Sequence, residues 1–136
     1  MGKILSGSRT QFDIAEQGAL AGKVTIYHNP KCSKSRAVLE MLQASEREVI
    51  IAPYLYSGWS AALLLRLMRT AGVKPRDWLR AEEAWAVKLG LGDPAVADAR
   101  IVAEMLVHPE LVQRPIVESD KGVRLCRPAE KVLEIL

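Results

Sequence analysis

A chain of 136 residues with 19 Lys and Arg against 16 Asp and Glu carries a net charge of +3. That length suits one domain with its own hydrophobic core, without disulfide or metal staples. The mild charge, with no Lys/Arg block longer than two residues, argues against bulk nucleic-acid binding but leaves room for a local cationic pocket aimed at a small anion.

Hydrophobic residues make up 49% of the chain and charged ones 26%, an ordinary globular balance rather than a disordered one. Two cysteines, Cys32 and Cys126, are too few for a disulfide scaffold and read as reduced thiols of a cytoplasmic protein. The longest apolar run, Ala61 to Leu65, ends at Arg66, far short of a membrane span. Met1 to Gly22 lacks the continuous apolar core of a secretory signal and shows no strong period. It reads as an N-terminal extension ahead of a domain covering 23–136.

In chain order, Lys23 to His28 (KVTIYH) alternates and is rich in β-branched and aromatic residues, which predicts a strand. Asn29-Pro30 breaks it. From Ser33 the period changes, and Val38, Leu39, Met41 and Leu42 fall on one helical face, with Ser33 or Ser35 as the expected N-cap. Glu48 to Tyr54 predicts a second strand that Pro53 pushes to an edge or an end. Ser60 is placed to cap an apolar helix through Met68 that stops at Ala71-Gly72. Pro75 to Glu83 predicts a short helix with Pro75 in its first turn, Gly90 to Pro94 a loop, and Val96 to Val107 an amphipathic helix stopped by His108-Pro109. Ile116 to Glu118 and Val123 to Cys126 flank a Ser119 to Gly122 turn and predict a hairpin. Ala129 to Leu136 predicts a last helix. The order predicts an α/β fold with a mixed sheet and helices on its faces.

Cys32 carries the chemistry. It falls at a strand-to-helix junction, near a helix N-terminus whose free N–H groups and dipole favour an anion. Lys31, Lys34 and Arg36 surround it in sequence, and His28 ends the strand before it. A thiolate is the reactive form of cysteine, and such a setting lowers its pKa. An inert core cysteine rarely has cationic neighbours on both sides. Ser35 stands where a Cys-x-x-Cys motif would have its second thiol, so no local disulfide closes, and an adduct on Cys32 needs an external thiol. Cys126 reads as a plain strand or loop residue. No His/Cys cluster has zinc-ligand spacing, so no metal site is expected. Arg114-Pro115 and Arg127-Pro128 add guanidinium groups, whose forked donors suit tetrahedral oxyanions. Taken singly, each arginine reads as a solvated surface group; beside a reactive cysteine they read as ligands. Pro115, directly before a strand, is a candidate for a cis bond, although X–Pro bonds are mostly trans.

The stretches VTIYHNPKCSKSR, HPELVQRPIVE and GVRLCRPAEKVLEIL closely resemble the glutaredoxin-coupled arsenate reductase family, the thioredoxin-fold type. The resemblance runs in order from about Val24 to the C-terminus. It implies a thioredoxin-like core with a helical insertion at roughly 60–107. It implies that Cys32 is the nucleophile and that Arg80 (upstream of Leu89-Gly90-Leu91), Arg114 and Arg127 bind the oxyanion. It implies that His28 helps keep the cysteine ionised. It also implies arsenate as substrate, glutathione as co-substrate and glutaredoxin as protein reductant, with no bound cofactor, no nucleic-acid or membrane partner, and a cytoplasmic monomer. Two other readings share the fold. A non-enzymatic Spx-type transcriptional regulator ordinarily uses a Cys-x-x-Cys switch and does not need all three arginines. A monothiol oxidoreductase acting with glutathione needs Cys32 but not the arginines.

Overall fold

The computed structural model describes residues 22–136. The expected extension, residues 1–22, lies outside the described residues except for Gly22. Lys23–Tyr27 forms β1, Ser33–Gln43 α1, Glu48–Ala52 β2, Tyr54–Ser57 the single-turn α2, and Ala61–Ala71 α3. A 3₁₀ turn at Pro75–Trp78 leads to α4 (Ala84–Leu89) and α5 (Asp98–Val107). A second 3₁₀ turn at Pro109–Leu111 precedes β3 (Ile116–Ser119), β4 (Gly122–Leu125) and a terminal 3₁₀ segment, Ala129–Ile135.

The sheet order is β2-β1-β3-β4. Strands β1 and β2 run parallel, with Lys23 opposite Glu48 and Tyr27 opposite Ala52. Strand β3 runs antiparallel to β1, with Tyr27 opposite Ile116, and β4 closes the hairpin with Ile116 opposite Leu125. The mixed sheet and the hairpin agree with the sequence expectation. The β1–α1–β2 unit is parallel because a helix intervenes; the β3–β4 pair is antiparallel because only a tight turn does.

Alternation along the strands divides the core in two. Val24, Ile26 and Val117 face α1 and the C-terminal segment, packing with Val38, Leu42, Cys126, Val132 and Ile135. Tyr27, Ile116 and Val123 face the other way, onto α3 and the insertion, where Leu64, Leu67, Trp78, Leu91, Ile101 and Met105 pack. On that second face Arg66 of α3 donates twice to Glu118 of β3, at 2.6 and 3.0 Å. Helix α3 has the ends its sequence predicts. Ser60 Oγ accepts from Leu63 N at 3.1 Å, and Gly72 closes the helix at φ 73°.

Four expectations are corrected. The second strand stops at Ala52, because Pro53 opens α2 instead. The predicted Pro75–Glu83 helix is only a 3₁₀ turn, since Leu79 pairs with Val112 as an isolated antiparallel bridge and leaves the helical path. Helix α4 follows where none was expected. The last segment is 3₁₀ rather than α.

Candidate active site

The site starts with the turn that follows β1. Asn29 folds its own side chain back: Oδ1 accepts from Lys31 N at 3.0 Å, an Asx turn. Cys32 N donates to Asn29 O, also at 3.0 Å. This turn delivers Cys32 in extended conformation to the N-cap of α1. Neither serine caps the helix. Ser35 is fully buried; its Oγ accepts from Asn29 N at 3.1 Å and lies 2.7 Å from His28 Nδ1. The cysteine thus takes the place a capping oxygen would normally fill.

Burial pushes the half-buried Cys32 thiol up, but the amide N–H groups of Ser35 and Lys34 and the Arg114 guanidinium outweigh it. The net result is a thiol held below the ordinary range. The positive setting expected from Lys31, Lys34 and Arg36 is therefore delivered differently. Lys34 acts through its backbone, while Arg36 donates to Pro30 O at 2.9 Å. His28 is itself held below its usual pKa, chiefly by burial and then by Arg36. Its ring is tied to Ser35 in the first turn of α1.

Arg114 and Arg80 come from distant parts of the chain to the same place. Arg114 precedes a cis peptide bond to Pro115 at the start of β3. Arg80 is pinned to the segment just before it: Arg80 N donates to Leu111 O at 2.8 Å, and Gln113 N donates to Trp78 O at 2.8 Å. Arg80 Nη1 bonds Glu83 Oε2 at 2.8 Å and Glu110 O at 3.1 Å. The Nε atoms of both Arg80 and Arg114 are buried without a hydrogen-bond partner. A buried donor left unpaired costs free energy.

Tyr54 ties this group together and was not picked out by sequence reasoning. It is buried, and its ring stacks on Trp59 at 4.9 Å between centroids. Trp59 in turn donates Nε1 to Pro109 O at 3.4 Å. Burial holds the Tyr54 hydroxyl up at about 12, and the charges it feels are those of Arg114, Arg80, Cys32 and Glu110. The one available signal was Pro53, which ends the strand just before Tyr54.

Arg127 stands slightly apart. It also precedes a cis proline, and its Nη1 donates to Arg114 O at 3.1 Å rather than reaching Cys32. Cys126 is buried in the second core cluster, and burial pushes its thiol up to about 12. Among the described residues no group of three or more His, Cys, Asp or Glu is placed to hold a metal ion, and no helix is long and apolar enough to cross a membrane.

A mixed sheet, a cysteine at the N-cap of the helix after its first strand, and a cis proline leading into the hairpin define a thiol protein of thioredoxin-like fold. Residues 27–135 match the ArsC family model. The chain is 43% identical over 113 residues to arsenate reductase of Escherichia coli strain K12, covering 83% of this chain and 80% of that protein. It is likewise 43% identical over 113 residues to arsenate reductase ArsI2 of Synechocystis sp., covering 83% and 81%. Its fold is similar to that of an arsenate reductase from Vibrio cholerae, with a TM-score of 0.81 at 41% identity over 86% of this chain and 100% of that one. The chain belongs to the ArsC family.

Proposed function

We propose that this protein reduces arsenate to arsenite, with Cys32 as the nucleophile and glutathione and glutaredoxin as the source of electrons. The observation that carries the reading is the pairing of a thiol held below its ordinary range with a guanidinium against it. A thiolate beside Arg114 suits an electrophile that is also an anion, and arsenate is both.

The Cys32 thiolate attacks arsenic and an arsenate oxygen leaves as water, giving a covalent sulfur–arsenic adduct. Arg114 and Arg80 hold the remaining oxygens through donors that are otherwise unpaired. Arg127 supports them, bracing Arg114 through its carbonyl. Over the whole reaction arsenic takes up two electrons. Two external thiols supply them and end as one disulfide, and one arsenate oxygen ends as water. Ser35 offers no local thiol and Cys126 is buried, so the first external thiol is glutathione and glutaredoxin completes the reduction. No bound cofactor takes part. A reaction that draws on a glutathione pool suits a reducing cytoplasm.

The test is arsenate-dependent NADPH oxidation, coupled through glutathione reductase, glutathione and glutaredoxin, with Cys32→Ser beside the wild type. Turnover that vanishes in the variant is the expected result. A folded wild type that turns over no arsenate would refute the reading.

A further inference from the structure

The exit of helix α3, the 3₁₀ turn at Pro75–Trp78 and the outer strand β4 leave a hollow of about 430 Å³ between them. Cys32, Arg80 and Arg114 are not among its lining residues. Its size falls in the range of small-molecule sites, roughly 300–1,000 Å³. The floor continues the larger core cluster: Trp78 and Val123 belong to that cluster, and Ala71, Val73 and Leu125 pack against it. Gly72 turns the chain between Ala71 and Val73, and the Trp78 carbonyl accepts from Gln113 N at 2.8 Å. The apolar floor is therefore fixed by the fold rather than assembled by a ligand.

The rim is cationic. Arg124 comes from β4, and Arg127 and Lys131 from the chain after it, against a single carboxylate, Asp77. That carboxylate is engaged by the backbone of its own turn, where Oδ2 accepts from Lys74 N at 2.8 Å. Arg124 is braced, with Nε donating to Glu134 Oε1 at 2.8 Å and Nη1 to Val123 O at 2.9 Å. Glu134 offsets part of its charge. Arg127 and Lys131 take part in no ion pair among the described residues. A bare inorganic oxyanion would meet these charges but gain nothing from the floor. A neutral apolar molecule would gain the floor and leave the charges unused. An amphipathic anion uses both.

The geometry points to a second ligand site, one that takes a small carboxylate with a flat apolar body. The body lies on Trp78, Val123 and Leu125, where an aromatic floor favours a flat partner. The carboxylate meets the cations of the rim. Lys131 is foremost, since among the described residues its ammonium makes no hydrogen bond, whereas both arginines spend donors on neighbours. Arg127 stands at the border of the hollow and donates Nη1 to Arg114 O at 3.1 Å. The site thus adjoins the arsenate pocket through one side chain without sharing its sulfur. The inference goes beyond the proposed function and does not rest on it.

The test titrates 3-phenylpropanoate into the ¹⁵N-labelled full chain with no arsenate present. Two companion probes separate the two halves of the ligand: 3-phenylpropanamide keeps the body without the charge, and acetate keeps the charge without the body. Saturable amide shifts centred on Val73, Asp77, Trp78, Val123 and Leu125 are expected for 3-phenylpropanoate. Its Kd should rise about tenfold in Lys131→Glu, and the amide should bind the wild type about tenfold more weakly, the scale of one charged hydrogen bond. Acetate at equal concentration should leave those amides in place. Lys131 is exposed, so its replacement keeps the fold, which the unshifted remainder of the spectrum checks. Shifts centred elsewhere, equal affinity for the amide, matching shifts from acetate, or an unchanged Kd in Lys131→Glu would each overturn the assignment. Arsenate chemistry enters none of these measurements, so failure of this site and failure of the proposed function are told apart.

Discussion

Removing the Glu118 carboxylate should unfold this protein far more readily than removing any surface acid. Glu118 lies on β3, an interior strand, with its side chain 5% exposed, and it accepts both terminal nitrogens of Arg66. The Tyr27 hydroxyl sits in the same cluster and is kept protonated, first by burial and then by the charge of Glu118. Breaking a buried pair by deleting one partner costs about 3–5 kcal/mol, because a charge stays behind without its counter-ion. Here the Arg66 side chain is 21% exposed and regains some water, so Glu118→Ala belongs at the low end, about 3 kcal/mol. Against a typical total of roughly 5–15 kcal/mol this is a large fraction. In a chain of this size it lowers Tm by roughly 10 °C. Urea unfolding followed by circular dichroism measures it directly, as a fall in midpoint at constant slope. The double variant Arg66→Met, Glu118→Leu should recover most of the loss, since an apolar pair has no desolvation penalty to offset. A Glu118→Ala loss below about 0.5 kcal/mol, the scale of surface substitutions, would refute the buried-pair argument.

Further outcomes follow from the site. Arg114→Ala should lower kcat for arsenate by about 10²–10³, the cost of one preorganised oxyanion donor, while leaving the unfolding midpoint nearly unchanged; equal kinetics would remove Arg114 from the pocket. The rate of Cys32 alkylation by iodoacetamide should rise as pH rises through a midpoint below that of a free thiol, and Arg114→Ala should move the midpoint up. The same depressed thiol contributes stability that is full above the unfolded cysteine's pKa and is lost as pH falls through the folded one. Iodoacetamide should modify the native protein once, at Cys32, with Cys126 reacting only after denaturation, since its thiol is buried and raised to about 12; rapid native labelling of Cys126 would contradict that. Gly72→Ala should cost about 1 kcal/mol in unfolding experiments, because the residue sits at φ 73° with no atom near an added Cβ, so the cost is purely conformational.

Local signals were legible where local forces decide. The KVTIY alternation, the Ser60 cap, the Gly72 stop and the β3–β4 hairpin all rest on contacts within a few residues. So did the placing of Cys32 at a helix start, since Asn29-Pro30 and the change of period after Ser33 are written in one short stretch. The misreadings come from tertiary partners that no periodicity or turn signal reveals. Leu79 leaves its helical path because Val112 offers a strand-like bridge, and nothing within 75–83 foretells that. Ser35 looked like a cap, but His28 and Asn29 N claim its oxygen from behind. Tyr54 looked like a strand end, but it opens a helical turn, stacks on Trp59 and feels the charges of Arg114 and Arg80. Arg80 and Arg114 could be paired only through family resemblance, because the hydrogen bonds that bring them together span residues 78–113.

Those same bonds make the positions of Arg80 and Arg114 independent of the route between them. Residues 78 to 80 and 111 to 113 are clasped like the two sides of a buckle, by Arg80 N on Leu111 O and Gln113 N on Trp78 O. The length of strap looped between the sides does not set where the buckle closes. Chain added or removed at the turn around Gly92 would leave Arg80 where it is, provided the clasp holds. A single proline at Gln113, which deletes one of the two donors, would loosen it without touching either arginine.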